Sequence, residues 1–383
     1  MILTKLFKEF FESEKAGGIL LVIVTVISLL VANSGMQSAY LGLWHHDIGG
    51  HSVVHWINDG LMCIFFLLIG LELEREIYIG ELSSIKNAAL PIFGAMGGML
   101  VPAGIFMLFN FGSALQSGAG IPMATDIAFA IGILSLLGNR VPASLKVFLT
   151  ALAVIDDLGA IIVIAVFYTT SLSFTNLGIA LGILAFLGIL NRLKVHNLVP
   201  YLVGGVAAWY FMLHSGVHAT ITGVLLAFAI PFQNGRPSTI SYQLQHWLHY
   251  PVAFGIIPIF ALCNTAIVIG SDWTSNLSEP YSLGIIFGLT LGKPIGILLF
   301  CYLAVKMKLT QLPEDINWQS LLGVGFLGGI GFTMSIFVTL LAFEDDTIIN
   351  NAKFMILIAS LLSGIMGFIW LKNRLKDNKI AEE

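Results

Sequence analysis

The sequence predicts an all-α polytopic membrane protein of about twelve transmembrane helices, two of them discontinuous. Three observations carry that expectation. The 383 residues are 57% hydrophobic and only 10% charged, where soluble domains carry about 25% charged residues. Apolar runs bounded by polar or Gly/Pro-rich turns recur along the whole chain, many near the roughly 20 residues that cross hydrocarbon as helix. In the middle of one run, Ala153-Val154-Ile155-Asp156-Asp157-Leu158-Gly159-Ala160 sets two carboxylates side by side.

The runs lie near 16–33, 56–80, 87–109, 121–137, 143–168, 174–191, 198–213, 216–231, 249–270, 282–304, 320–342 and 350–372. Before the first, Ile2, Leu3, Leu6, Phe7, Phe10 and Phe11 form one face of an interfacial helix over residues 1–15. Glu9, Glu12 and Glu14 mix with the lysines there, so the first run reads as a retained span and not a cleaved signal. The connections leave no room for a soluble domain, and 1–383 reads as a single transmembrane domain. Cys63, Cys263 and Cys301 each sit inside an apolar run, scattered and odd in number, which points to packing and not to a disulfide framework or zinc site. No basic stripe suggests nucleic acid. The loop 35–55 holds Gly49-Gly50 as a hairpin turn, and its His45, His46, His51 and His55 read as loop composition more than as a metal site.

Basic residues set the orientation. The turns 34–55, 110–120, 169–173 and 271–281 contain no Lys or Arg, whereas Arg75, Lys86, Arg140, Lys146, Arg192, Lys194, Arg236, Lys306 and Lys308 fall at the opposite ends. Lys372, Arg374, Lys376 and Lys379 close the chain on that same side, so both termini are expected in the cytoplasm. Lys293, mid-span, and Lys353, at the outer start of the last span, are the exceptions.

Span eleven reads Gly323-Val324-Gly325-Phe326-Leu327-Gly328-Gly329-Ile330-Gly331-Phe332-Thr333. Each glycine costs about 1 kcal/mol in a helix interior. Such a stretch fits either close packing through small residues or an interrupted helix. Span four begins Gly120-Ile121-Pro122-Met123-Ala124-Thr125-Asp126, an acid beside a break signal, and the pair together favours interruption.

Charges at membrane depth are Asp126, Asp156, Asp157 and Lys293, with Asp59 and Glu72 nearer the ends of span two. One acid at a helix centre costs roughly 2.5–3.5 kcal/mol on insertion scales. Neighbouring helical side chains project about 100° apart, so Asp156 and Asp157 cannot share one partner squarely. One can hold a fixed partner, for which Lys293 is the obvious group, while the other faces a cavity. A purely structural ion pair is the plainer reading of Lys293. Burial disfavours the charged carboxylate, and a hard cation such as Na⁺ prefers oxygen ligands. Proton and cation would then compete for the same oxygens, which is the chemistry of an exchanger, and it requires no cofactor.

The chain resembles the bacterial NhaA-type sodium/proton antiporters. The resemblance rests on His55-Trp56-Ile57-Asn58-Asp59-Gly60-Leu61-Met62, Phe65-Phe66-Leu67-Leu68-Ile69-Gly70-Leu71-Glu72 and Ala124-Thr125-Asp126-Ile127-Ala128-Phe129-Ala130. Ile155 through Ala160, Ser215-Gly216-Val217-His218-Ala219-Thr220, Gly292-Lys293-Pro294 and Gly329 through Phe337 continue it in family order. It implies that Asp157 is the main Na⁺ ligand and proton carrier, assisted by Asp156, which pairs with Lys293 in one state. It implies that Asp126 balances the positive ends of the broken spans, with Thr125 beside it among the metal ligands, and it makes Asp59 a supporting group. Exchange would be electrogenic, with Na⁺, Li⁺ and H⁺ as transported ions. Residues 87–168 and 282–372 would be inverted repeats, and the loop 35–55 would serve a homodimer. Glu72, Arg75, Glu76, His246 and His249 stand at the family's pH-responsive entrance, with His218 nearer the outer side. Interfacial packing is the plainer reading of His246 and His249, and for His218 packing and a part in gating stand level. Gln245 stands where the best-known member has an acid, which removes a charge from that entrance. The expected setting is the bacterial inner membrane, with lipid as the surrounding partner.

Other readings remain open at this level. A Na⁺-coupled solute symporter would favour neutral polar ligands over an acid pair. An intramembrane aspartyl protease needs Tyr-Asp on one helix and Gly-x-Gly-Asp on the next, and neither occurs. A channel would carry current without obligatory proton counterflow.

Overall fold

Hydrocarbon offers backbone amides no water, so each must be paired within its own segment. The chain answers this with helices almost throughout. The computed structural model describes residues 5–168, 172–270 and 273–375, and only the backbone at 5–14, 81, 85, 86, 139 and 234. The proposed leader face of Ile2, Leu3, Leu6, Phe7, Phe10 and Phe11, and the side chains of Lys86, Lys376 and Lys379, therefore lie outside the described residues.

In chain order the main helices are α1 (Lys5–Ala32), α2 (Gln37–His45), α3 (Val53–Tyr78), α4 (Ile85–Asn110), α5 (Ile127–Ser135), α6 (Ala143–Phe167) and α7 (Phe174–Arg192). They continue as α8 (Leu198–Leu213), α9 (Ile221–Ala229), α10 (Ile240–Asn264), α11 (Pro280–Lys306), α12 (Trp318–Gly328), α13 (Phe332–Ala342) and α14 (Asp346–Arg374). Helix α1 runs unbroken from the polar leader into the first apolar run.

Among the described residues, nine helices are long and apolar enough to cross a membrane, or ten when the bent pair α12–α13 counts as one span. The sequence count of twelve is larger because it includes α8 and α9. Helix α8 has 16 residues and reaches about 24 Å at 1.5 Å per residue, short of the roughly 30 Å hydrocarbon core. Helix α9 has nine.

The chain folds as two units: residues 1–34, 84–160 and 264–383 form the first, and 35–83 with 161–263 the second. In the first unit α4 and α11 meet backbone to backbone where Gly97 faces the Gly296 carbonyl. Cys301 of α11 donates to the Leu90 carbonyl of α4 at 3.6 Å. A side chain at position 97 would strike main chain, which cannot swing aside. Gly97→Val is therefore expected to cost about 1–3 kcal/mol, read as a lower thermal midpoint in detergent. Gly104→Ala, on the same helix with open space around it, should leave the midpoint unchanged or raise it slightly. Helices α12 and α14 pack through Gly323 against Leu371 and Gly367 against Leu327.

Asp345 accepts from the amides of Ile348 and Thr347, at 3.1 and 2.8 Å, which starts α14 and holds its carboxyl below the usual carboxylate range.

In the second unit α3 packs on α9, with Gly70 of α3 against Ala227 and Val224. Asp47–Ile48 pairs antiparallel with His51–Ser52. The turn between them places Gly49 and Gly50 at φ 69° and 88°, the positive-φ pair that a tight hairpin requires.

Candidate functional site

Three local departures from regular helix build the site in the first unit. Helical bonding stops after Met123 and resumes at Ile127, leaving Ala124–Asp126 extended. Helix α12 ends at Gly328 and α13 restarts at Phe332 with a 48° bend. Within α11 the turn Gly288–Gly292 widens to π-helix just before Lys293. Pro294 has no amide to donate there, so regular bonding cannot pass through this turn unaltered.

Asp126 stitches two of these breaks together. Its amide donates to the Ile330 carbonyl at 2.7 Å. Its Oδ1 accepts from the Phe129 amide at 3.0 Å, in the first turn of α5. Its Oδ2 accepts from the Thr333 amide at 3.1 Å, in the first turn of α13, and from the Thr333 hydroxyl. One carboxylate thus faces the positive ends of two helices. The Ser360 hydroxyl of α14 accepts from the preceding first-turn amide, that of Phe332, at 3.1 Å. The Ser335 hydroxyl donates to the Ile121 carbonyl at 2.7 Å.

The second cluster lies one residue away. Lys293 Nζ forms an ion pair with Asp156 Oδ2 and donates to Thr125 Oγ1 at 2.8 Å. Thr125 Oγ1 also lies 2.8 Å from Asp156 Oδ2 and 2.8 Å from the Gly328 carbonyl. Its single proton can serve one of those oxygens at a time. Lys293, Thr125, Asp156 and Asp157 are all buried. Asp156 Oδ1 is buried without a hydrogen-bond partner among the described residues. A fixed ammonium therefore holds one oxygen of Asp156 and leaves its other oxygen, like the neighbouring Asp157, buried in an apolar interior. Carboxylate oxygens are the kind of group that suits a hard, weakly charged cation or a proton.

The remaining sequence candidates fall in the second unit, in two groups. Asp59 sits in a π-helical turn of α3, Trp56–Leu61. Its Oδ2 is 3.2 Å from His55 Nδ1, and its carbonyl accepts from the Trp209 indole at 3.0 Å. His218 lies within electrostatic reach of Asp59, its Nε2 3.0 Å from the Tyr168 carbonyl. Further along α3, Glu72 is buried with Oε1 4.0 Å from His249 Nδ1. Arg75 Nη2 stands 3.6 Å from Glu76 Oε1. Gln245 is buried and hydrogen-bonds Glu72, while His246 is exposed and stacks on Tyr242.

Sequence reasoning passed over Thr333, Ser335, Ser360 and Glu74. Thr333 follows the glycine break by two residues, a position where a first-turn hydroxyl is informative. Ser360 sits inside an unbroken apolar helix and gives no such signal. Glu74 is buried, its Oε2 without a hydrogen-bond partner among the described residues, and only its place in a long apolar run hints at that.

Among the described residues, nine or ten membrane-length helices, with buried ionisable groups beside two interrupted ones, define a multi-pass membrane protein with the broken-helix pattern of secondary transporters. Residues 8–371 match the family described as Na⁺/H⁺ antiporter 1, and the chain belongs to that family. It is similar to the Na(+)/H(+) antiporter NhaA of Flavobacterium psychrophilum, 67% identical over 383 residues and covering 100% of both chains. The Na(+)/H(+) antiporter NhaA of Cytophaga hutchinsonii is 60% identical over 386 aligned positions, again across 100% of both. The solved sodium proton antiporter MjNhaP1 of Methanocaldococcus jannaschii shares the fold at a TM-score of 0.56 and 16% identity, over 96% of this chain and 98% of that one.

Proposed function

We propose that this protein is a secondary Na⁺/H⁺ antiporter that exports sodium in exchange for protons, and that the two compete for the carboxylates of Asp157 and Asp156. The observation that carries the reading is the buried Lys293–Asp156–Thr125 cluster at the interrupted helices, beside Asp157. Thr125 and freed backbone carbonyls supplement the two acids as oxygen ligands for Na⁺ or Li⁺. Asp126 supports transport by holding the helix ends, and Lys293 by compensating Asp156 when no cation is bound. Asp59 supports it from the second unit.

A carrier that reorients only when loaded with cation or protons couples the two fluxes. If more protons enter than sodium leaves, the exchange is electrogenic and the membrane potential drives sodium out, at about 2.3 kcal/mol per charge per 100 mV. The distribution of Lys and Arg supports both termini on the cytoplasmic side of a bacterial inner membrane. We assign residues 87–168 (within α4–α6) and 282–372 (within α11–α14) as the inverted repeats. The hairpin at Gly49-Gly50 supports the homodimer reading.

In everted vesicles with an acid interior, adding Na⁺ or Li⁺ should dissipate the pH gradient promptly. Lack of any Na⁺-linked proton movement from neutral to alkaline pH, by inserted and folded protein, would refute the antiporter and turn attention to solute symport. For pH response we assign Glu72, Arg75, Glu76, His246, His249 and, from the outer side, His218. His249 Nδ1 lies 4.0 Å from Glu72 Oε1, so a proton gained or lost by either group changes the charge the other faces. His249→Gln should shift the pH profile of exchange by a measurable fraction of a unit while leaving the maximal rate near wild type. An unmoved profile in His246→Gln/His249→Gln would remove both histidines from regulation.

A further inference from the structure

We propose that Ser363 of α14 and the main-chain carbonyl of Leu289 in α11 bind one water molecule beside Gly329, and that through it Ser363 positions the turn carrying Lys293. The positioning role rests on the exchange reading above, in which Lys293 competes with the cation for Asp156; the water site does not. The carbonyl is orphaned by the sequence. In the π-helical turn Gly288–Gly292 the Lys293 amide is given to the Gly288 carbonyl. Residue 294, whose amide would serve Leu289 in the same pattern, is a proline and has none. Leu289 is fully buried, so its carbonyl has neither a helical donor nor bulk water. Such a group costs free energy until a donor reaches it.

The Ser363 hydroxyl is the matching orphan. Elsewhere in the helices the hydroxyls of Thr25, Ser135, Thr150, Thr290 and Thr339 each donate to the carbonyl four residues back, at 2.6–3.0 Å. Ser363 has the same option within α14, yet its Oγ is buried without a hydrogen-bond partner among the described residues. Gly329 marks where the two orphans meet. A Cβ there would run into the Leu289 carbonyl oxygen and come within 2.9 Å of Ser363 Oγ and 3.1 Å of the Phe326 carbonyl oxygen. Oxygens from α11, α14 and α12 thus surround one point at the break between α12 and α13. One water there, with hydrogen bonds of about 2.8 Å, donates to Leu289 and Phe326 and accepts from Ser363. Three partners fall within the roughly two to four that a buried water takes.

A sodium ion fits this point less well. The three oxygens include no carboxylate, and Lys293 follows Leu289 by one helical turn, so a second cation would go uncompensated in an apolar interior. Water satisfies the same oxygens without charge. Ser363 is thereby tied to the turn directly before Lys293. Without its hydroxyl that turn loses a tether, and Lys293 holds Asp156 less firmly against an incoming cation.

The test is solid-state NMR on full-length protein in bilayers, labelled with ¹³C at leucine carbonyls and ¹⁵N at threonine. Leucine precedes threonine only at Leu3, Leu149, Leu289 and Leu309, and the signal that Leu289→Met abolishes belongs to residue 289. Magnetisation from water should reach the Leu289 carbonyl and not that of Leu149, which is buried in the regular helix α6. Ser363→Ala should remove the transfer and lower the Na⁺ needed for half-maximal exchange by up to about fivefold, the worth of one hydrogen bond. Pro294→Ala returns an amide to position 294. It should also remove the transfer, and Ser363→Ala added to it should change the Na⁺ requirement no further. No transfer to Leu289 in wild type, or transfer untouched by Ser363→Ala, would overturn the water site. A lower thermal midpoint in Ser363→Ala with an unmoved Na⁺ requirement would overturn the positioning role. Water contact at Leu289 in protein that moves no protons with Na⁺ would uphold the site and count against the exchange reading instead.

Discussion

Asp157→Asn is expected to bring Na⁺-linked proton movement down to the level of vesicles lacking the protein, without lowering thermal stability. The amide is nearly isosteric with the carboxyl, so packing around position 157 is kept. It can neither neutralise a cation nor take up and release a proton across the working pH range, and so it removes both halves of the exchange at once. Stability should hold or rise, because a buried carboxylate costs the fold more than a buried amide. Loss of flux together with a retained thermal midpoint separates a transport role from a folding one. Asp157→Glu tests the geometry, since it keeps the charge but moves it out by one methylene, and reduced but measurable exchange is expected. Robust exchange by Asp157→Asn would eliminate this residue as the carrier and leave Asp156 as the candidate.

The fold was legible in the sequence to the extent that hydrocarbon dictates it. Long apolar runs and the one-sided placement of Lys and Arg report directly on a solvent that tolerates little else. The C-terminal part of the glycine cluster, Gly328–Gly331, and the Pro122–Asp126 stretch likewise stand where helical bonding stops, because glycine and proline act locally, whereas Gly323 lies within helix and serves close packing. The two helices α8 and α9 were less legible, since hydropathy reads apolarity and not the length over which hydrogen bonding persists. At the site, the acids and Lys293 announced themselves by their cost in an apolar run. Their partners did not. The contact between Asp126 and Thr333 spans more than 200 residues of chain, and nothing local to Ser360 marks it as the acceptor for the Phe332 amide. The π-helical turns at Asp59 and before Lys293 were equally silent, because they answer to packing and to the missing amide of Pro294.

Lys293→Met tests whether the buried pair is a structural requirement or a device for transport. Methionine can occupy much of the aliphatic space of lysine but leaves Asp156 with the Thr125 hydroxyl as its remaining partner on Oδ2. Removing one member of a buried pair costs about 3–5 kcal/mol, so the thermal midpoint in detergent should fall well below that of wild type. Asp156→Asn alone leaves an ammonium buried beside a neutral amide and should also lose stability. Asp156→Asn/Lys293→Met removes both charges, and the desolvation cost leaves with them. It should therefore recover most of the loss, with a coupling energy in the double-mutant cycle well above the 0.5 kcal/mol typical of independent sites. If the pair serves only the fold, the double variant should exchange sodium for protons much as wild type does, because Asp157 is untouched. If Asp156 shares the cation and Lys293 replaces that cation in the empty carrier, the double variant should be stable yet require more Na⁺ for half-maximal exchange. Restored stability with weakened sodium response is the outcome the geometry favours, since Asp156 Oδ1 remains without a hydrogen-bond partner among the described residues even while Lys293 holds the other oxygen.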